Sequence, residues 1–282
     1  MSITPELIKD LQDKSKELRR EIVQITHDAG GAHAGGSLSV TDLLVCLYFN
    51  KLRNIGLENA DNPDRDRFIL SKGHCALAYI PCLAMRGYFE KKDLKSFNKF
   101  KSPFGMHPCS IKVKGCDVSS GSLGHGLPIA AGLGLGAKYQ KKDFKTVCIM
   151  GDGECNEGSI WEAAMTISHY NLTNVIAIVD RNRLMIDGPT EDVMALEPFA
   201  DKWTAFGFEV IDIDGHDHKQ ILEALDKAYN TTGKPVCIIA NTSKGKGVGF
   251  MEDKADYHYC SLDSAQLAEA MKDIDAMYGG KL

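Results

Sequence analysis

Val147-Cys148-Ile149-Met150 runs directly into Gly151-Asp152-Gly153-Glu154-Cys155-Asn156-Glu157-Gly158, and after a helical pattern from Trp161 to Tyr170 the run Val175-Ile176-Ala177-Ile178-Val179 leads into Asp180-Arg181-Asn182. Short apolar runs on either side of a helical pattern read as strand, helix, strand. The alternation continues. A helix near Pro198 to Phe206 precedes Val210-Ile211-Asp212-Ile213, and a helix from Lys219 to Tyr229 precedes Val236-Cys237-Ile238-Ile239. This order predicts an α/β fold, a parallel sheet with helices on both faces. Parallel strands place Asp152 and Asn182 at carboxyl ends on one edge of the sheet, where open α/β sheets bind ligands. The helix starting near Gly158 presents free N–H groups that favour a phosphate. The glycines let the backbone approach a ligand closely. One carboxylate and one amide oxygen beside such a helix suit a hard cation bridging a diphosphate, since magnesium takes few of its six oxygens from protein.

Upstream, Thr4 is placed to cap a helix with Pro5 at its first position, and Leu7, Leu11, Leu18, Ile22 and Ile25 recur at helical spacing. A glycine-rich loop, Gly30 to Gly36, is expected to end that helix, and Ser39 with Asp42 resembles a capping box for a second helix through Phe49. There is no repeat, low-complexity stretch or linker, so residues 1–282 read as one domain.

Composition narrows the function classes. Hydrophobic residues make up 44% of the chain and the net charge is −5, which leaves no electrostatic footprint for nucleic acid. The densest basic run, Lys91 to Lys101, also carries Asp93 and reads as a solvated helix face. Nine cysteines, an odd number without a Cys-x-x-Cys pair, point to free thiols in a reducing compartment. The start, from Met1 to Glu6, opens a polar helix rather than a signal peptide. No run reaches the roughly 18 apolar residues of a membrane span. A soluble, cytoplasmic protein is expected.

Rival metal readings fail on spacing. Asp152-x-Glu154-x-Asn156 begins like a calcium loop, but Glu157 stands where glycine is needed and Ala163 where glutamate is needed; from Asp212, Asp217 replaces the turn glycine. His74, Cys75, Cys82, His107, Cys109 and Cys116 match no zinc spacing. Neither a Walker loop nor a dinucleotide fingerprint occurs in the required context. His27, His169, His216 and His218 read as exposed or hydrogen-bonded bystanders, with His216 serving the turn before a helix.

The segment Gly151 to Gly158, carried through Asp180-Arg181-Asn182, resembles the thiamine diphosphate fingerprint in its transketolase form. The likeness covers nearly the whole chain. It takes in Ala32-His33-Ala34-Gly35-Gly36-Ser37, Leu70-Ser71-Lys72-Gly73-His74, Gly105-Met106-His107-Pro108, Gly121-Ser122-Leu123-Gly124-His125-Gly126, Asp214-Gly215-His216-Asp217, and Lys244-Gly245-Lys246-Gly247 with His258. The chain is similar to roughly the N-terminal half of a transketolase, up to where the pyrimidine-binding domain would begin.

The resemblance implies the following roles. Asp152 and Asn182 coordinate Mg2+, or another divalent cation such as Ca2+ or Mn2+, with Leu184 adding its carbonyl. Gly151, Gly153, Glu154, Gly121, Ser122, Leu123, His74 and Lys244 meet thiamine diphosphate. His33 and His258 transfer protons and contact donor hydroxyls, with His74 and His107 in support; histidine does this near neutral pH. Glu157 couples to a catalytic glutamate of the partner. The partner is a C-terminal transketolase subunit carrying the pyrimidine-binding domain, in an α2β2 heterotetramer acting on sugar phosphates. The implied reaction moves a two-carbon ketol unit from a ketose to an aldose. Two departures put the usual sugar preference in doubt: Ala32-His33-Ala34-Gly35 replaces Gly-His-Pro-Gly, freeing that loop, and His125 replaces a common glutamine. The alternatives are another thiamine diphosphate enzyme (a deoxyxylulose phosphate synthase or a 2-oxo acid dehydrogenase α chain), a transketolase for an unusual sugar, and a non-enzymatic cofactor-holding subunit.

Overall fold

The computed structural model describes residues 3–279; Met1, Ser2 and residues 280–282 of the expected domain lie outside them. Five parallel strands form one sheet in the order β1-β2-β3-β5-β4. They are β1 (Arg67–Leu70), β2 (Thr146–Gly151), β3 (Val175–Arg181), β4 (Glu209–Asp214) and β5 (Val236–Asn241). The helices are α1 (Pro5–Asp28), α2 (Ala34–Ser39), α3 (Thr41–Cys46), α4 (Ala76–Met85), α5 (Gly126–Tyr139), α6 (Gly158–His169), α7 (Thr190–Val193), α8 (Phe199–Ala205), α9 (His218–Asn230) and α10 (Ser264–Met277).

Side chains of a strand alternate between faces, and the cores follow that alternation. Val147, Ile149, Ile176, Ile178 and Ile238 join one buried cluster with α1 to α4, α9 and α10. Cys148, Met150, Val175, Ala177, Val179, Cys237 and Ile239 join the other with α5, α6 and α8. Covered on both faces, the central strands read as continuous apolar runs. Gly151 is level with Asp180 in the β2–β3 register, so the chain leaves both strands at one edge.

Thr4 caps α1, accepting from Leu7 N at 3.2 Å, with Pro5 in its first turn. Elsewhere the expectations need correction. Gly35 and Gly36 belong to α2, not to a loop; a Cβ on Gly35 would stand 2.7 Å from the Tyr257 carbonyl, so glycine there permits close packing. Ser39 and Asp42 form no capping box. Val40 is itself helical before α3, and both side chains are engaged elsewhere: Ser39 Oγ donates to Asp180 Oδ2 at 2.6 Å, and Asp42 holds Arg19. The Ala32–Ala34 loop is tethered, because Ala32 and Cys260 exchange backbone hydrogen bonds of 2.9 and 3.0 Å. The basic run forms a 3₁₀ turn over Lys91–Ser96. Strand β1 was not anticipated. No helix among the described residues is long and apolar enough to cross a membrane. The nine cysteines are free, and only Cys109 and Cys260 are not buried.

Candidate active site

The edge where β2 and β3 end is occupied by two turns. After β2 the chain makes a 3₁₀ turn over Gly153–Asn156 and enters α6 at Gly158. After β3, Arg183 adopts a left-handed φ of 63°, which reverses the chain. The two turns meet at Asp152, which is 2% exposed. Its Oδ1 accepts from Gly153 N at 2.8 Å, and Oδ2 accepts from Arg183 N at 2.6 Å and from Arg181 Nη1 at 3.2 Å. Burial raises the Asp152 carboxyl above the usual carboxylate range, and the Arg183 N–H opposes this. Asn182 Oδ1 accepts from Leu184 N at 3.1 Å, and the Leu184 carbonyl accepts from Lys244 Nζ at the same distance. Asp152, Asn182 and Leu184, the expected ligand set, therefore sit on hydrogen-bonded neighbours and line one cavity of about 440 Å³.

This donor set fits a magnesium diphosphate. It offers one carboxylate, one amide oxygen and one carbonyl, leaving positions for phosphate and water. No group of three or more His, Cys, Asp or Glu side chains among the described residues is arranged to hold a metal alone. Lys244 supplies a second cation at this end. Burial lowers its pKa to about 8, with the nearby Lys72 charge adding to the effect.

The same cavity is lined by the imidazoles of His33, His74 and His258. His33 lies 5.4 Å from both His74 and His258, and His74 lies 5.0 Å from His258, measured between ring centroids. His107 stands behind, 6.1 Å from His33, and packs on Gly121, whose Cβ would meet its ring at 3.1 Å. Burial lowers the pKa of all four. For His258 the value falls to about 3, with the Lys244 charge as the second cause. All four are thus neutral at neutral pH. The Nδ1 of His33 is buried without a hydrogen-bond partner.

Gly121, Leu123, Gly151, Gly153, Glu154 and Glu157 line the same cavity. His107 and Ser122 do not; Ser122 is exposed. The Glu154 side chain has a role not foreseen from the sequence. Its carboxylate accepts from Gly151 N at 3.0 Å, from Gly124 N at 2.8 Å and from Ser71 Oγ, joining three cavity walls. Lys72 and Asp180 were also missed. They form a buried ion pair at 2.5 Å beneath the site, although both lie inside the motif blocks that carry the resemblance. Met185, Ile186 and Asp187 complete the lining. His216 is more than a turn residue, since it bridges Asp42 and Ser243. A larger groove of about 690 Å³, rimmed by Lys92, Lys95, Lys99, Lys112 and Lys114, holds none of the expected site residues.

A parallel α/β domain with a carboxylate, an amide, a lysine and clustered histidines around one cavity is built for a diphosphate cofactor. Residues 12–277 match the family described as "Transketolase, thiamine diphosphate binding domain", and the chain belongs to the transketolase family. It is 40% identical over 267 residues to one of the subunits of the apulose-4-phosphate transketolase of Phocaeicola vulgatus, covering 95% of this chain and 94% of that one. A 6-deoxy-6-sulfo-D-fructose transketolase subunit of Clostridium is 38% identical, with 94% and 96% covered. Among solved structures, the transketolase of Campylobacter jejuni superposes with a TM-score of 0.88 at 30% identity. That match takes in 99% of this chain but only 44% of the solved one, and human transketolase is likewise matched over 42% of its length.

Proposed function

We propose that this chain is the diphosphate-binding subunit of a split, magnesium-dependent transketolase, which transfers a two-carbon ketol unit from a ketose phosphate to an aldose. The observation that carries the reading is one cavity that joins diphosphate chemistry to three histidines, His33, His74 and His258, with His107 packed behind them. Asp152, Asn182 and the Leu184 carbonyl would hold the cation. The Gly153–Glu154 backbone and Lys244 would meet the diphosphate. When bound, thiamine diphosphate supplies the electron sink that ketose cleavage needs, so the protein has to position groups and move protons. His33 takes the proton from the donor's C3 hydroxyl and returns one to the acceptor, and His258, whose Nδ1 accepts from Lys244, contacts a donor hydroxyl through its Nε2–H. His74 and His107 make supporting polar contacts.

A partner subunit carrying the pyrimidine-binding domain completes the site, in an α2β2 assembly. Two observations support this. Three relatives of matching length are named as subunits. Leu123 and Ile186 line the cavity yet are 36% and 67% exposed, with Met194 exposed at 61%, an apolar surface of the kind that subunit contacts cover. Glu157, also exposed on the cavity wall, is where the partner's carboxylate would couple. The names of those relatives favour a ketose outside the common set. A panel of ketose phosphates and aldose acceptors, given to this chain with its partner subunit, tests the reading. Two-carbon transfer from at least one ketose supports it, and cofactor binding without any transfer points to a cofactor-holding subunit.

A further inference from the structure

Asp42 is fully buried on α3, and Arg19, equally buried on α1, grips it with two hydrogen bonds of 2.7 Å. Burial opposes charge on Asp42, but Arg19 outweighs it and holds the carboxyl well below its ordinary range. An ionised carboxylate can only accept. His216 Nδ1, 2.8 Å from Asp42 Oδ2, therefore carries the proton. Its Nε2 is left bare and accepts the Ser243 backbone N–H at 2.9 Å. No other tautomer serves both contacts. The same buried pair reaches that segment a second time, through Arg19 Nε to the Lys246 carbonyl at 3.1 Å. Lys244 lies between the two anchored residues, and its Nζ meets the Leu184 and Met185 carbonyls and His258 Nδ1 at 3.1, 3.3 and 3.2 Å.

We propose that His216 is a positioning residue, which relays the buried Arg19–Asp42 pair to the Ser243 backbone and so fixes Lys244 at the diphosphate end of the site. The proposal rests on the cofactor reading of that site. Its logic is that of a residue behind a ligand-contacting one: the outer residue fixes geometry that the inner one uses. Without the imidazole acceptor, Ser243 N–H loses its partner and the chain directly before Lys244 loses an anchor, while the Asp253 N–H to Lys244 carbonyl and Gly245 N–H to Gly35 carbonyl bonds of 2.9 and 3.0 Å remain.

The test compares two polar replacements in the chain assembled with its partner subunit. His216→Asn retains a donor toward Asp42 but is too short to reach Ser243. His216→Gln extends a carbonyl to about the position of Nε2. Thiamine diphosphate affinity is measured by calorimetry at saturating magnesium, alongside the melting temperature of each variant without cofactor. Expected are a loss of about tenfold in cofactor affinity for His216→Asn, near-native affinity for His216→Gln, and similar melting temperatures for the two. In a Lys244→Ala background the His216→Asn loss should shrink to less than about twofold, because coupled residues are non-additive. Equal affinities for the Asn and Gln variants, or an undiminished loss in the Lys244→Ala background, would overturn the proposal. Failure of the wild-type pair to bind thiamine diphosphate would instead overturn the reading beneath it.

Discussion

Lys244 Nζ lies 3.2 Å from Nδ1 of His258, so the ammonium that meets the Leu184 carbonyl also touches the histidine cluster. An ammonium only donates, so His258 must accept at Nδ1 and carry its proton on Nε2. Burial is the first cause of lowering in both groups; the Lys244 charge is the second for His258, which falls to about 3, and the Lys72 charge is the second for Lys244, which falls to about 8.

Lys244 should give the cofactor affinity an alkaline limb. Its ammonium attracts a diphosphate only while protonated, so affinity should hold below pH 8 and fall as pH rises through the value of about 8. Lys244→Arg, which keeps its charge throughout, should bind with a flatter profile. Calorimetric titrations across the alkaline range check this. A wild-type profile as flat as that of the Arg variant contradicts the role.

Asp152→Ala removes the charged member of the oxygen cluster. Changes behind metal ligands already cost about 10–100-fold in metal affinity, so the loss of thiamine diphosphate affinity in magnesium should exceed that. Magnesium and cofactor together should raise the melting temperature far more than either alone, because a metal held by Asp152 and Asn182 would tie the diphosphate to the protein. An equal shift with cofactor in excess chelator would exclude that bridge.

The histidines should work in their neutral forms, His33 as the base and His258 as a hydrogen-bond donor. His33→Ala and His258→Ala should lower turnover by about 100–10,000-fold while cofactor affinity changes little, and exposed His169→Ala should be near silent. All four cluster pKa values are lowered. The base form therefore survives to more acid pH, and kcat/KM should not fall as pH drops through the ordinary histidine value of about 6.5. Stability runs the other way. The unfolded chain takes up protons first, so the melting temperature should decline below about pH 6.5, continuing toward the folded His258 value of about 3.

Two glycines of α5 separate packing from propensity. A Cβ on Gly134 would stand 2.3 Å from Val175 Cγ2, whereas one on Gly132 would meet nothing within 4 Å. Gly134→Ala should destabilise the chain by about 1–3 kcal/mol through overpacking. Gly132→Ala should stabilise it by about 0.4–1 kcal/mol. Denaturant midpoints of the two variants decide this, and equal midpoints would contradict the helix placement.

Much of this architecture was legible because the central strands are buried on both faces. Their apolar runs stand out, and the chemistry sits where they end, at Asp152 and Asn182. Strand β1 escaped notice because Arg67–Leu70 is only four residues long, on the sheet edge. Ser39 and Asp42 looked like a local cap because a sequence shows only near neighbours. Their partners, Asp180 and Arg19, are distant in the chain. The same limit hid the Glu154 clamp and the Lys72–Asp180 pair, whose residues are separated by 83 and 108 positions at their longest contacts. The histidine cluster was found only through family resemblance, since nothing in the spacing of His33, His74, His107 and His258 brings them together.

The central claim, a cofactor half-site that works only with a partner, is tested most directly by reconstitution. The chain is supplied with thiamine diphosphate, magnesium, a ketose phosphate and an aldose, and two-carbon transfer is followed as the partner subunit is titrated in. Mass is read in parallel by light scattering. The account predicts little or no transfer by the chain alone, activity that rises to saturation at one partner per chain, and a limiting mass of two copies of each. Full transfer by this chain without a second subunit would contradict it.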